Sequence, residues 1–243
     1  MRISFKSARK ARVPEGTRIY AIGDVHGRAD LLSRTFLNID AHLGANSIAR
    51  PVHVLVGDYI DRGPNSKEVL DLLVQRGQSH EMICLKGNHE SYLAEFLTNP
   101  MILEDWRQYG ALETLVSYGL RPAINPGAAE RIDLAKKLAD VFPEEHRKFL
   151  DGLPLTFSCG DFFFVHAGVR PGVPLSQQRQ EDLLWIRNEF LLCETDFGKI
   201  IVHGHTPVRA PEIHANRVNI DTGAYATGKL TCLILETEEV VVL

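Results

Sequence analysis

Three short runs early in the chain pair glycine with residues that can bind metals or move protons. They are Gly23-Asp24-Val25-His26-Gly27, Gly57-Asp58-Tyr59-Ile60-Asp61-Arg62-Gly63 and Gly87-Asn88-His89-Glu90. Two later runs, Val165-His166-Ala167-Gly168 and Val202-His203-Gly204-His205-Thr206, again set histidine beside glycine after an apolar stretch. Of the ten histidines, His26, His89, His166, His203 and His205 fall in these runs, whereas His42, His53, His80, His146 and His214 are scattered. One Gly-Asp pair is usually only a turn, since Asp tolerates turn geometry and caps helices. Five such runs together point to a divalent metal site. Carboxylate, amide and imidazole donors without thiolate suit Mn²⁺, Fe or Zn²⁺ in a catalytic centre better than a structural zinc site. Two ions about 3.5–4 Å apart can activate a bridging water and neutralise phosphate oxygens during in-line displacement. That reaction also needs cations on the phosphate, and a planar guanidinium grips it through two parallel hydrogen bonds. Arg62 sits within the second run and Arg187 within Leu184-Trp185-Ile186-Arg187. Taken alone, Arg62 reads equally well as an ion pair with Asp61, and Arg187 reads better as an exposed helix charge.

The elements that must position these residues alternate in type. Arg18 to Ile22, Val52 to Val56 and Glu81 to Lys86 are short apolar runs that predict buried strands, each ending in one of the glycine motifs. Helical spacing over about 29–42, with Leu31, Leu32, Phe36, Leu37 and Ile39, and a second helix from Pro64 to about Arg76 separate them. This β-α-β-α-β rhythm predicts a parallel sheet with right-handed crossovers, and ligands bind beyond the carboxyl ends of such strands. From about 91 to 150 the rhythm gives way to helical segments such as Leu112 to Tyr118 and Ala128 to Phe142, broken by prolines; this reads as a helical insertion. Strands resume at Leu155 to Ser158 and Phe162 to Val165. A helix is expected over Gln180 to Leu192, then strands at Lys199 to Val202, Ile213 to Ile220, Leu230 to Leu235 and Val240 to Leu243. Trp106, Tyr109 and Tyr118 of the insertion read as core in preference to the lining of a specificity groove, the other role open to them.

Length and charge narrow the classes further. The 243 residues suit one domain, taken as 18–243, behind a basic N-terminal segment 1–17 that holds Arg2, Lys6, Arg9, Lys10 and Arg12 and reads as a solvated tail. That segment has no apolar core of 7–15 residues, and no stretch approaches the roughly 20 apolar residues of a membrane span. A net charge of −4 gives no general attraction to nucleic acid or anionic membrane, so neither is expected as a partner. Cys84, Cys159, Cys193 and Cys232 are widely spaced without a C-x-x-C pair, which predicts reduced thiols and a cytoplasmic location.

The ordered set GDVHG, GDYIDRG, GNHE, HAG and GH resembles the phosphoprotein phosphatase family within the calcineurin-like metallophosphoesterases, in its bacterial serine/threonine phosphatase form, from Ile19 to about Ala224. The resemblance implies an α/β fold, a β-sandwich with helices on its outer faces, and a dinuclear metal centre, most simply Mn²⁺. By the family pattern Asp24 and His26 hold one ion, Asp58 bridges both, and Asn88, His166 and His205 complete the second, with His203 behind them. His89 becomes the general acid, oriented by Asp61. Arg62 and Arg187 become the phosphate clamp, and Asn88 also borders the substrate. Tyr225 in Asp221-Thr222-Gly223-Ala224-Tyr225 takes the place of the family's C-terminal aromatic motif. Physical chemistry agrees with the acid role: a neutral imidazole cannot protonate a leaving group, and a neighbouring carboxylate favours the imidazolium. The expected substrate is a phosphoserine or phosphothreonine protein or peptide. The nearest rival is a bacterial dinucleoside tetraphosphate hydrolase, whose motifs resemble ARGP and GNHD; Asp61-Arg62-Gly63-Pro64 and Asn88-His89-Glu90 favour the phosphatase. A non-catalytic scaffold is disfavoured because no candidate ligand or acid is missing.

Overall fold

The computed structural model describes residues 2–3 and 11–243. After a two-residue strand β1 (Arg2–Ile3), β2 (Thr17–Ile22) begins the alternation, and all six of its residues are buried. Helix α1 (Ala29–Ala45) follows, then β3 (Arg50–Leu55), α2 (Ser66–Gly77) and β4 (Glu81–Cys84). Strands β2, β3 and β4 pair in parallel, as the β-α-β rhythm predicts. The helical stretch contains α3 (Asn88–Phe96), α4 (Leu103–Trp106), α5 (Ala111–Ser117), α6 (Ala128–Val141) and α7 (Glu144–Asp151). Strands β5 (Thr156–Cys159) and β6 (Phe162–Val165) form a hairpin, followed by α8 (Gln180–Trp185) and α9 (Asn188–Leu191). The chain ends with β7 (Ile200–His203), β8 (Glu212–Ile213), β9 (Arg217–Asn219), α10 (Ala224–Thr227), β10 (Cys232–Glu236) and β11 (Glu239–Val242).

The strands make two sheets, ordered β1-β11-β10-β2-β3-β4 and β5-β6-β7-β9-β8. Because strand side chains alternate, each sheet buries two faces. Ile19, Ala21, Val52 and Val54 meet Phe162, Phe164, Val202 and Val218 between the sheets. Tyr20, Ile22 and Leu55 turn outward onto a helical layer through Leu32, Phe36, Leu70, Leu93 and Leu115. On the other sheet Phe163, Val165 and Ile201 pack under Leu183, Ile186 and Phe190. The result is an αββα sandwich, and α3 to α5 add to the helical layer beside the first sheet.

Four details depart from the sequence reading. The first sheet is mixed, since β10 pairs antiparallel with both β2 and β11. The strand expected over 213–220 is the antiparallel pair β8–β9, reversed at 214–216. The helix expected over 180–192 breaks at Arg187, whose φ of −132° and ψ of −102° are not helical. Described residues of the expected solvated tail are anchored: β1 pairs with β11, Ala11 and Val13 are buried, and the Val13 amide donates to Thr237 O. Lys6, Arg9 and Lys10 lie outside the described residues. Cys84, Cys159, Cys193 and Cys232 are free thiols, and no helix among the described residues is long and apolar enough to cross a membrane.

Candidate metal centre

Asp24 follows β2, Asp58 follows β3, Asn88 follows β4, His166 follows β6 and His205 follows β7. Strands β2, β3 and β4 run parallel to one another in the first sheet, as β6 and β7 do in the second, so the carboxyl ends of these five open onto one crevice between the sheets. The loops are stitched together by backbone bonds. The amides of Val25 and His26 donate to Asp58 O, and that of Gly27 to Tyr59 O. Gly87 and Gly204 leave room where loops cross: a Cβ on Gly87 would collide with the Asp58 carboxylate, and one on Gly204 with that of Asp24. Left-handed backbone is concentrated here. His26, Asp58, Asp61, Arg62 and His205 all have φ between 44° and 70°, and Thr237 is the one further non-glycine case among the described residues. Such a conformation costs about 1–3 kcal/mol per residue, a strain that clusters at functional sites.

The side chains converge on Asp58. His26, Asp58 and His89 bring one potential ligand atom each within 4.8 Å of one another, and so do Asp58, His166 and His205. A similar group on the surface, Asp71, Glu145 and His146, has both imidazole nitrogens engaged, by Tyr118 Oη and Asp71. In the crevice the situation differs. Each of His26 and His166 donates its Nδ1–H to a backbone carbonyl, Ile60 O and Val56 O, at 2.9 Å. Each therefore turns an unprotonated Nε2 inward. His166 Nε2 lies 2.8 Å from Asn88 Oδ1 and 3.4 Å from Asp58 Oδ1, and His205 Nδ1 lies 3.0 Å from the same Asn88 oxygen. His26 Nε2 is 3.5 Å from Asp58 Oδ2 and accepts from the Arg62 guanidinium at 3.0 Å. Asp24 accepts the His205 amide on Oδ2, while its buried Oδ1 has no partner among the described residues. Lone pairs gathered in this way call for positive charge, and the donor set fits divalent ions shared across Asp58.

Electrostatics sort the histidines into two kinds. Burial lowers His26 to about 3 and His205 to about 2, which keeps them as neutral donors. Burial acts on His89 in the same direction, but Asp58 and Asp61 outweigh it and raise its pKa above the usual imidazole value. His89 Nδ1 lies 2.6 Å from Asp61 Oδ2, the carboxylate that with Asp58 favours its imidazolium. Asp24 is raised well above the usual carboxylate range, by burial first and then by Asp221 and Asp58. For Asp58 four histidines prevail over burial, and its pKa is depressed.

Sequence reasoning missed the supports of this site. Asp61 also accepts from Trp106 Nε1 at 2.6 Å and Thr114 Oγ1 at 2.5 Å, so the insertion helices hold the carboxylate that holds His89. Glu90 accepts the amides of Asp58, Tyr59 and Gly87 at 2.8–3.0 Å and thus clamps the second loop to the third, although burial raises its pKa to about 7. Its place in Gly-Asn-His-Glu was the available signal. Of the aromatic residues expected in the core, Trp106 and Tyr118 are buried, whereas Tyr109 is half-buried and meets the His89 ring edge at 5.9 Å. Tyr109 stacks on Tyr92 at 5.3 Å, and both meet Trp185, itself 6.1 Å from the His205 ring. This trio forms an aromatic wall beside the crevice.

Among the remaining predicted residues, Arg62 lies over the Tyr225 ring at 4.9 Å, and Tyr225 meets the edge of His26 at 5.4 Å. Arg187 stays on the exposed rim, bound to Thr206 Oγ1 at 3.1 Å, at the point where the expected helix breaks. His203 turns away from the crevice: its ring packs against Phe190 at 4.9 Å and its Nδ1 bonds Gly204 O.

Two packed sheets carrying a crevice of this chemistry at their parallel strand ends define a metallophosphoesterase. The chain belongs to the calcineurin-like phosphoesterase family, whose model matches residues 17–233. Among similar curated proteins, bis(5'-nucleosyl)-tetraphosphatase PrpE [asymmetrical] of Halalkalibacterium halodurans is 29% identical over 231 residues, covering 87% of each chain. Its namesake from Anoxybacillus flavithermus is 27% identical over 238 residues, covering 87% of this chain and 88% of the relative. Among solved structures, one described as a candidate diadenosine tetraphosphatase superposes with a TM-score of 0.63 at 17% identity, covering 100% of this chain and 97% of the other. A cold-active protein-tyrosine phosphatase of a psychrophilic Shewanella species gives 0.60 at 18% identity, covering 98% and 82%. At such identities the likeness is one of fold.

Proposed function

We propose that this phosphoesterase hydrolyses dinucleoside tetraphosphates unsymmetrically with the help of two divalent ions, Mn²⁺ being the first candidate. The observation that carries this reading is the similarity, along most of both chains, to relatives named for that activity. It reverses the preference that the Asp61-Arg62-Gly63-Pro64 and Asn88-His89-Glu90 motifs gave. The site is compatible with a long polyanionic substrate: Arg62 beside Tyr225 and Arg187 beside Thr206 offer two separate guanidinium groups, and the aromatic wall of Tyr92, Tyr109 and Trp185 offers surface for a nucleobase.

In this reading Asp24, His26 and Asp58 hold one ion, and Asp58, Asn88, His166 and His205 the other. Bound there, the ions supply an activated water and neutralise phosphate charge. Arg62 and Arg187 grip the non-bridging oxygens, Asn88 and Tyr225 border the phosphate, and His89, fixed by Asp61, offers its Nε2 proton to the leaving oxygen. One observation favours the phosphoserine or phosphothreonine reading: Asp61 holds His89 Nδ1 at 2.6 Å and so favours a protonated ring. An alkoxide leaving group needs that proton more than a polyphosphate does. Turnover of a dinucleoside tetraphosphate against phosphopeptides at matched concentration, with Mn²⁺ supplied, separates the two. A strong preference for phosphopeptides overturns the proposal.

A further inference from the structure

The residues assigned above to the metal centre sit beyond the carboxyl ends of β2, β3, β4, β6 and β7. One more strand runs in the same direction to the same edge: β9 pairs in parallel with β7, and the Ile220 amide donates to His203 O. Two residues beyond β9 lies Asp221, which is 1% exposed. Its backbone touches the start of the first motif, because a Cβ on Gly23 would run into Ile220 O and come within 3.5 Å of the Asp221 nitrogen. Asp221 Oδ1 accepts the Gly223 amide at 2.8 Å. The other oxygen, Oδ2, is buried and has no partner among the described residues. Asp24 Oδ1 is in the same condition, and the two carboxylates sense each other's charge. Asp58, Arg62 and Arg187 act on Asp221 as well.

A buried carboxylate oxygen is hydrogen-bonded, paired or bound to a cation in nearly every folded protein, since leaving it bare is costly. Here a capping bond to Gly223 accounts for Oδ1 and leaves Oδ2 unexplained. We propose that Asp221 is a further anionic group of the metal centre, on the Asp24 side, and that its free oxygen serves a divalent cation or the shell around it. The assignment rests on the two-ion reading of the site. In chemical terms it makes the Asp24 side richer in carboxylate than the family pattern requires, which strengthens its hold on a hard cation.

Asp221→Asn keeps Oδ1 for Gly223 and replaces the second oxygen with an amide that cannot bind a cation. Mn²⁺ binding to wild type and variant, followed by calorimetry and by electron paramagnetic resonance, reads the effect directly, with urea melts in EDTA and in saturating Mn²⁺ beside it. The expected result is a weaker Mn²⁺ affinity at one site, by about ten- to a hundredfold, the size typical of groups that support metal ligands. In EDTA the variant should be as stable as wild type or more so, because a like charge beside Asp24 and Asp58 is gone. Asp221→Ala, which also loses the Gly223 bond, should be less stable than Asp221→Asn in EDTA. If Asp221→Asn binds both ions with wild-type affinity, or loses equal stability with and without Mn²⁺, the residue is only a loop cap and the proposal is wrong. If wild type itself takes up no Mn²⁺, the metal-centre reading falls and takes this assignment with it.

Discussion

The His89–Asp61 pair makes a prediction that depends on the leaving group. His89 Nδ1 is fixed on Asp61, so its Nε2 is the proton that faces the crevice, 3.7 Å from Asp58 Oδ2. In His89→Asn, Asp61 keeps its bonds from Trp106 and Thr114, so no bare carboxylate is left and the loop should hold. What disappears is the proton donor. Loss of a general acid costs about 10²–10⁴ in kcat, or roughly 3–5 kcal/mol of barrier, when the departing oxygen is strongly basic. A leaving phosphate or polyphosphate departs without help, because its terminal oxygen titrates near pH 6. The assay is kcat over a series of aryl and alkyl phosphates of graded leaving-group basicity, plus a dinucleoside tetraphosphate, with Mn²⁺ content measured in each preparation. The loss in His89→Asn should grow along the series to at least a hundredfold and stay near tenfold or less for the tetraphosphate. A uniform loss across all substrates would show that His89 does not deliver the proton. A drop in bound Mn²⁺ would show that it is a ligand instead.

Asp58→Asn should lose metal and activity together, because both three-residue clusters share this side chain; two tightly bound ions in the variant would contradict the bridge. Arg187→Ala, on the exposed rim, should weaken inhibition by inorganic phosphate and impair turnover while leaving the melting temperature unchanged; wild-type kinetic constants and phosphate inhibition would remove it from the clamp. Trp185→Ala should raise KM for the dinucleotide more than for a simple aryl phosphate, and an equal change for both would count against a base-binding wall. His53 predicts acid sensitivity. Its buried ring has no partner on either nitrogen among the described residues, and burial, followed by Arg76 and His80, lowers it to about 4. Since the unfolded ring takes up its proton near pH 6.5, the native state is the one that resists protonation, so stability is complete above that pH and is lost on descending toward 4. By pH 4.5 the loss is about 2.5 kcal/mol. His53→Leu should remove that part of the difference between urea melts at pH 7.5 and 4.5 in EDTA, and an unchanged difference refutes the assignment.

Much of the site was legible because its chemistry is local. Glycine beside Asp, His or Asn at the end of an apolar run is a statement about a strand end, and strand ends of a parallel sheet share one edge. The broken helix at Arg187 was not legible, since 180–192 has acceptable helical spacing and no glycine or proline to mark the break. The split of the aromatic residues was hidden for a similar reason: Trp106 and Tyr109 lie three residues apart, yet one supports Asp61 from the core while the other faces His89. Residues 213–220 hid a hairpin, because the reversal over His214-Ala215-Asn216 has neither glycine nor proline and Asn216 is its one turn-favouring residue. The anchoring of the described N-terminal residues was not legible either, since backbone bonds to distant strands leave no trace in composition.

By itself, then, the sequence determined which candidate ligand residues stand at strand ends, because ligand type and strand period are properties of neighbouring residues. Tertiary structure decided their states. Whether a histidine is held neutral, like His205, or pushed toward the protonated form, like His89, depends on burial and on carboxylates dozens of residues away. The same holds for Asp221, an ordinary turn residue in the sequence. It becomes a candidate member of the metal centre only when β9 brings it, buried and half-satisfied, to the edge where Asp24 lies.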